Sequence, residues 1–354
     1  MDPNPMTFRA GLVGYGSGGR IFHAPLLPAA GIHLAAIASS RADEIARDHP
    51  AATAYPNPQA LFADDTLDVV IITTPSPIHG ALAIEALEAG HNVVVDKPFA
   101  ASVDEANRVI KAAKRAGKLV SCFQNRRWDS DFLTLKDLMA RNMLGDITHV
   151  QSTFSFYKPD APSSWHNQAL PAVGVHFDLG THVLDQLVQL FGMPHWVEGE
   201  VLTRRPTSAV ADRMHARLGY ANGSESGLRI LAEADMFSPE YAPRFVVQGT
   251  KAGWRKDHMD GQEAQLKSGM KPGDPGFGVE DKANWGTLTS YEGGAQKVER
   301  IPLINGEHHT YYRLVREAIE NNTPPPVKGE EVRDVLKVIE AVVASGETGR
   351  RITL

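Results

Sequence analysis

Cysteine is almost missing: Cys122 is the only one in 354 residues. That excludes an internal disulfide and any CxxC metal knuckle, and its apolar surroundings make it a small packing hydrophobe. No stretch approaches the roughly 20 apolar residues that a membrane helix needs. Basic residues are not in excess either, the formal net charge being −6, so nothing draws the chain generally to nucleic acid or anionic lipid. The longest basic cluster, Asn125-Arg126-Arg127, is too short to track a polyanion. Met1 to Met6 carry no basic n-region or apolar h-region, so secretion is not expected and the cytoplasm is the expected home. Aromatics are few, and neither repeats nor low-complexity tracts occur.

What is present is a globular composition, 42% hydrophobic and 22% charged, and a length suited to two domains. The first part alternates strand and helix signals. Strands are expected at Phe8–Val13, His33–Ala38, Leu67–Thr74, Asn92–Val95 and Leu119–Phe123. Their nearly continuous Val, Ile and Leu suit a parallel sheet covered on both faces. A helix-like stretch follows the glycine loop. Ser76-Pro77 reads as an N-cap with proline at the first helical position, and Gly90 as the stop. Ser102 to Glu105 forms a capping box for a helix that ends at Gly117. The fold class is therefore a doubly wound α/β domain over residues 1–127.

Beyond it the pattern changes. Residues 128–354 are expected to form an α+β domain with a large, mostly antiparallel sheet, from alternating runs at Ile147–Phe156, Met214–Tyr220, Ser226–Ala232 and Phe245–Gly249. Helices are expected at Phe132–Arg141, Val175–Phe191, Thr310–Asn321 and Glu330–Ala344. One face of the sheet, with apolar residues left on it, is expected to serve a partner subunit in a homodimer or homotetramer.

Gly14-Tyr15-Gly16-Ser17-Gly18-Gly19 fits GxGxxG between the first strand and the stretch that follows. Such glycines allow a tight turn, close approach of a pyrophosphate and close helix packing, while backbone N–H groups face the phosphates. Where an NAD enzyme places a carboxylate after the second strand, this chain reads Ser39-Ser40-Arg41. Two hydroxyls and a guanidinium suit a 2′-phosphate, so NADP is favoured over NAD. Ser40 is equally readable as a helix cap, and both readings can hold together.

Asp96-Lys97-Pro98 ends the fourth expected strand at the sheet's carboxyl edge, where ligands of such folds bind. Proline restricts Lys97 to an extended backbone; a solvated lysine is the plain alternative. Asp178, His182 and Asp185 recur at i, i+4 and i+7 on the helix expected at Val175–Phe191. A carboxylate one turn from an imidazole suits a general base, and equally a structural ion pair. A metal site lacks an evident third ligand nearby, and none is expected. Trp165-His166 and Arg127 could meet a substrate or pack within ordinary loops. Tyr157, His308-His309 and Tyr311-Tyr312 are weaker candidates for which packing is the readier account.

Together these residues resemble the glucose–fructose oxidoreductase, inositol dehydrogenase and rhizopine-catabolism (Gfo/Idh/MocA) family. The resemblance spans nearly the whole chain. It rests on the glycine loop, Thr74-Pro75 with His79, Asp96-Lys97-Pro98, and Asp178 with His182. It is closest to a subgroup of NADP-dependent scyllo-inositol dehydrogenases that shares Phe22-His23-Ala24-Pro25 and Asn125-Arg126-Arg127-Trp128-Asp129. The family more often has Glu where Asp96 stands. The resemblance implies a Rossmann domain and hydride exchange with a polyol or sugar-like alcohol. It implies His182 as base, Asp178 as its support, and Lys97 on both the substrate oxygen and the nicotinamide ribose. Thr74, Pro75, His79, Asp96 and Asn125 would line the cofactor, and the Lys97–Pro98 bond would be cis. The rival readings are a relative acting on an aldose, a diketone or a dihydrodiol, and a non-catalytic NADP-binding regulator. A metal-dependent hydrolase is more distant.

Overall fold

The computed structural model describes residues 8–220 and 227–354 and divides into two compact units. The first holds the described residues up to Asn125, together with Gln262–Phe277 and Glu307–Arg333. The second holds Arg126–Gly261, Gly278–Gly306 and Asp334–Leu354. Two later segments thus rejoin the first unit, so chain order and spatial grouping differ.

In the first unit β1 (Phe8–Val13), β2 (Ile32–Ala38), β3 (Thr53–Tyr55), β4 (Val69–Ile72), β5 (Asn92–Val95) and β6 (Val120–Cys122) form a parallel sheet in the order β3-β2-β1-β4-β5-β6. All four side chains of β4 are buried, each worth about 1.5–3 kcal/mol relative to exposure. That saturation marks a sheet covered on both faces. The strand order reverses between β1 and β4, which opens a crevice at their carboxyl ends.

Several local expectations change. The stretch after the glycine loop is a π-helix, Gly18–His23, followed by two 3₁₀ turns with Pro25 at the second position of one and Pro28 at the first of the other; proline cannot donate the bonds a regular helix would need there. Ser76 is no N-cap, because Ser76–Ile78 is itself a 3₁₀ turn and the helix proper runs His79–Glu88. Ser40 does not cap either: Arg41 precedes the helix Ala42–Asp48, and its N–H donates to Ser39 Oγ at 3.3 Å. Ser102 does cap, accepting from Glu105 N–H, and Gly117 ends that helix in the left-handed region. β3 escaped the sequence reading, since three half-exposed edge residues leave no periodic trace.

In the second unit β7 (Ile147–Ser155), β8 (Trp196–Leu202), β9 (Arg213–Gly219), β10 (Arg229–Asp235), β11 (Phe245–Gly249), β12 (Ala252–Lys256), β13 (Gly286–Glu292), β14 (Ala295–Ile301) and β15 (Ile352–Thr353) form one sheet. Its order is β14-β13-β12-β11-β7-β10-β9-β8-β15, and only the β7–β10 pair is parallel. Ser226, the first residue of one expected strand, lies outside the described residues. β14 is exposed along almost its whole length and so shows no alternation to read. On β9 and β10, Met214, Ala216, Leu218, Ile230, Ala232 and Ala234 are buried. The opposite face was expected to be apolar. It carries Leu231 and Val246, half-exposed, together with Arg213, His215 and Glu233, the latter two 3.0 Å apart and Arg213 3.2 Å from Glu233.

The helix expected at Val175–Phe191 is two helices, Val175–Asp178 and Gly180–Phe191, joined at Leu179. Among the described residues no helix is long and apolar enough to cross a membrane.

Candidate functional site

Within the first unit the candidate cofactor residues follow the carboxyl ends of successive strands: the glycine loop after β1, Ser39 after β2, Thr74 after β4, Asp96 after β5 and Asn125 after β6. The three motif glycines meet three different environments. Gly14 has φ +99°, and a Cβ there would stand 2.8 Å from Thr73 O. At Gly19 a Cβ would stand 2.4 Å from Gly14 O, so the turn and the π-helix pack backbone to backbone. At Gly16 a Cβ would meet nothing within 4 Å. Thr73 Oγ1 donates to Gly14 O at 2.8 Å and Gly14 N–H donates to Ala38 O at 2.9 Å, which holds the loop in place.

Around this cradle Ser40 and Arg41 are exposed. Arg41 donates to Glu44 at 3.0 Å, and Arg20, which the sequence reading passed over, donates to the same carboxylate at 3.3 Å. Tyr15 is buried. Its hydroxyl donates to Asp48 at 3.1 Å, and burial with that carboxylate pushes its ionisation up to about 12. Thr74 Oγ1 is buried with no partner, and Pro75 beside it is exposed. His79 is 1% exposed, its Nδ1 2.8 Å from Pro98 O and its Nε2 2.7 Å from Thr74 O. It therefore ties two loops together from behind. Asn125 Nδ2 lies 3.3 Å from His308 Nδ1.

The Lys97–Pro98 bond is cis. Asp96 Oδ1 accepts the Lys97 backbone N–H at 2.8 Å and lies 3.4 Å from His23 Nε2. Burial raises the Asp96 carboxyl, but His23 above all, then Lys97 and His79, outweigh it and hold the group below its ordinary value.

In the second unit Asp178 closes the short helix, and His182, 5% exposed, stands in the first turn of the long one. The Leu179 junction keeps them one turn apart: Leu179 N–H reaches Val175 O at 2.8 Å and Val183 N–H reaches Leu179 O at 3.2 Å. Gly180 packs against Met214, whose Sδ would stand 2.7 Å from a Cβ there. Asp185, expected on the same open ridge, is instead gripped by Arg127 through two bonds of 2.8 and 2.7 Å, both side chains being buried. A forked guanidinium–carboxylate pair of this kind is directional and strong. Arg127 thus faces Asp185 inside the unit.

Sequence reasoning also missed what lies beneath His182. Its ring is 6.1 Å from that of Phe154, over which Arg244 lies at 4.3 Å and Arg126 at 5.2 Å. Arg244 donates to Ser152 Oγ at 2.7 Å and to Gln186, and lies 3.3 Å from Asp131. Burial raises the Asp131 carboxyl, to about 7, against the pull of Arg244. No periodicity could have announced these partners, which come from five separate segments. Trp165 and His166 stack at 3.8 Å in a 3₁₀ turn, where Ser164 Oγ lies 3.0 Å from His166 Nδ1. Tyr157 is 46% exposed and stacks on Phe237, whereas Tyr311 and Tyr312 are fully buried.

Residues 8–124 match the oxidoreductase family with an NAD-binding Rossmann fold, and residues 136–354 match that family's C-terminal alpha/beta domain. The chain belongs to the Gfo/Idh/MocA oxidoreductase family. A scyllo-inositol 2-dehydrogenase (NADP(+)) of Bacillus subtilis is 35% identical over 98% of this chain and 96% of its own. A D-xylose 1-dehydrogenase (NADP(+)) of Haloferax volcanii is 28% identical over 93% of this chain and 94% of its own. The solved structure of an oxidoreductase from Bacillus subtilis matches with a TM-score of 0.91 at 34% identity, covering 98% of this chain and 100% of that one. As a Gfo/Idh/MocA member this protein is an NAD(P)-dependent oxidoreductase. Its glycine loop fits that cofactor: a strained first turn, an open second glycine and a tightly packed third are what a bound pyrophosphate requires.

Proposed function

We propose that this oxidoreductase is NADP-dependent and transfers hydride between nicotinamide and a polyol or sugar-like alcohol of the scyllo-inositol type. The observation that carries the reading is the Ser39-Ser40-Arg41 sequence after β2, with Arg41 and Arg20 converging on Glu44 within 3.3 Å beside the glycine cradle. Two guanidiniums and two hydroxyls recognise a 2′-phosphate, and no carboxylate directly follows β2 to receive a free ribose hydroxyl. The relative from Bacillus subtilis, named for NADP(+) and scyllo-inositol, supports the same choice.

Nicotinamide C4, when the cofactor is bound, supplies the hydride acceptor or donor. His182 takes the hydroxyl proton of the alcohol as general base, with Asp178 one turn away to orient the ring and raise its basicity. The Lys97 ammonium binds the same oxygen and stabilises the alkoxide that develops as the proton leaves. Asp96, on Lys97's own backbone N–H, sets the point from which that side chain starts. Trp165 and His166 offer a stacking face and a polar edge to a polyol, and Arg127 braces Asp185 on the helix that carries His182.

A panel of inositols, aldoses and ketones, each tried with NADP(H) and NAD(H), tests the reading. Turnover of an inositol with NADP well ahead of NAD is the expected result. Preference for an aldose, as the name of the Haloferax volcanii relative suggests, would move the substrate and keep the mechanism. No turnover of any member alongside tight NADPH binding would favour a regulator.

A further inference from the structure

The Phe22-His23-Ala24-Pro25 segment has no part in the chemistry above, yet it places His23 beside Asp96, the residue before Lys97. His23 is 0% exposed. Its ring lies against Phe123, centroids 4.1 Å apart, and its Nδ1 is 2.5 Å from the Tyr312 hydroxyl. Its Nε2 lies 3.4 Å from Asp96 Oδ1, the atom that accepts the Lys97 N–H at 2.8 Å. Asp96 also borders the glycine loop, since a Cβ on Gly18 would stand 3.2 Å from its Oδ2. All these residues belong to the first unit.

We propose that His23 is a positioning residue for the reaction: seated on Tyr312, it holds the Asp96 carboxylate and, through it, the backbone that presents Lys97. The proposal rests on the reading of Lys97 as the group that binds the substrate oxygen. The proposal takes one hydrogen-bond arrangement at Tyr312. Burial, with Tyr311 and Asp96 nearby, raises its ionisation well above the ordinary phenol value, so the hydroxyl keeps its proton. In that arrangement the O–H donates to His23 Nδ1, and Nε2 carries the ring hydrogen toward Asp96 Oδ1, 3.4 Å away. Phe123 on one face and Tyr312 at the edge prevent the ring from turning. A buried carboxylate facing a fixed N–H is held in one orientation by it.

Two measurements test this. Selective ¹⁵N-histidine NMR of the cofactor-free protein, with His23 assigned from the His23→Gln spectrum, should show Nε2 protonated and Nδ1 accepting. A ring with no fixed proton on Nε2 would overturn the proposal. In kinetics, His23→Leu should lower kcat by up to about 10²-fold, the scale of an ångström's misplacement of a catalytic group. His23→Gln, whose amide can still offer N–H near the Nε2 position, should recover to within a few-fold of wild type. Tyr312→Phe, a milder change, should lose roughly fivefold, one neutral hydrogen bond's worth, and should release the tautomer in the NMR spectrum. Equal losses in His23→Leu and His23→Gln would mean that the ring only fills space, which overturns the proposal. Unchanged kcat in His23→Leu, with Lys97→Ala inactive, overturns it while leaving the role of Lys97 intact. Full activity in Lys97→Ala would instead remove the reading on which it rests.

Discussion

His182 and Lys97 should fail in different ways when replaced. His182→Ala is expected to cut turnover by roughly 10²- to 10⁴-fold, the range for losing general acid–base catalysis. NADPH affinity, measured by fluorescence, should stay near wild type, because the glycine cradle is formed by other residues. Lys97→Ala should lose turnover and also weaken substrate binding, since one ammonium serves ground state and transition state alike. Near-wild-type turnover in His182→Ala would remove it as the base. Arg41→Ala should weaken NADP far more than NAD, and equal wild-type dissociation constants for the two cofactors would sink the 2′-phosphate reading. His176, two residues before Asp178, titrates against the fold. Burial lowers its pKa to about 4, while the unfolded chain takes up that proton near the ordinary value of about 6.5. The neutral ring's contribution is therefore complete above about pH 6.5 and is lost as pH falls toward 4, up to about 3 kcal/mol in all. Thermal unfolding of His176→Leu against wild type should show a flatter pH dependence in that window. Parallel curves would contradict it.

At the level of elements, the glycine loop separates stability from binding. Gly19→Ala would place a Cβ 2.4 Å from Gly14 O, so the turn must open; melting temperature and cofactor affinity should fall together. Gly16→Ala meets nothing within 4 Å, so the free protein should melt as wild type does. Its new methyl stands where a pyrophosphate must approach, and NADPH affinity should fall. A Gly16→Ala protein that binds normally would place the phosphates elsewhere. The same scale shows where reading a sequence stops. The capping box at Ser102 and the left-handed Gly117 were legible, because both depend on neighbours within a turn. The split at Leu179 was not, because the apolar pattern of Val175 to Phe191 runs through it without a break.

For the whole molecule, we propose a homodimer or homotetramer that uses the outward face of the nine-stranded sheet. That face mixes the apolar Leu231 and Val246 with charged side chains. Arg213 reaches Glu233 at 3.2 Å and Asp235 at 2.6 Å, and Arg204 reaches Asp235 at 2.5 Å. An assembly resting on such groups would be held by charge and hydrogen bonding and should loosen as salt screens it. Light scattering at micromolar concentration should give a dimer or tetramer whose mass falls at high salt. A monomer at low salt would refute the assembly, and a salt-indifferent oligomer would place its interface elsewhere.

The sequence by itself determined the doubly wound first sheet, the glycine loop and the identity of the chemical groups. Each of these follows from short-range rules: continuous apolar runs for buried parallel strands, glycines where backbone must approach backbone, and a carboxylate one helical turn from an imidazole. Only the tertiary structure decided what those groups touch. Arg127, exposed chemistry on paper, is bound to Asp185, 58 residues away. His79 is closed between two carbonyl oxygens, and His23, read only as part of a shared signature, lies between Tyr312 and Asp96. Two segments beyond the apparent boundary at residue 127 join the first unit. The physical reason is common to all four. Local backbone preference and patterning are set by near neighbours, whereas a charged or polar side chain taken out of water must find a partner, and the chain may supply that partner from any distance along its length.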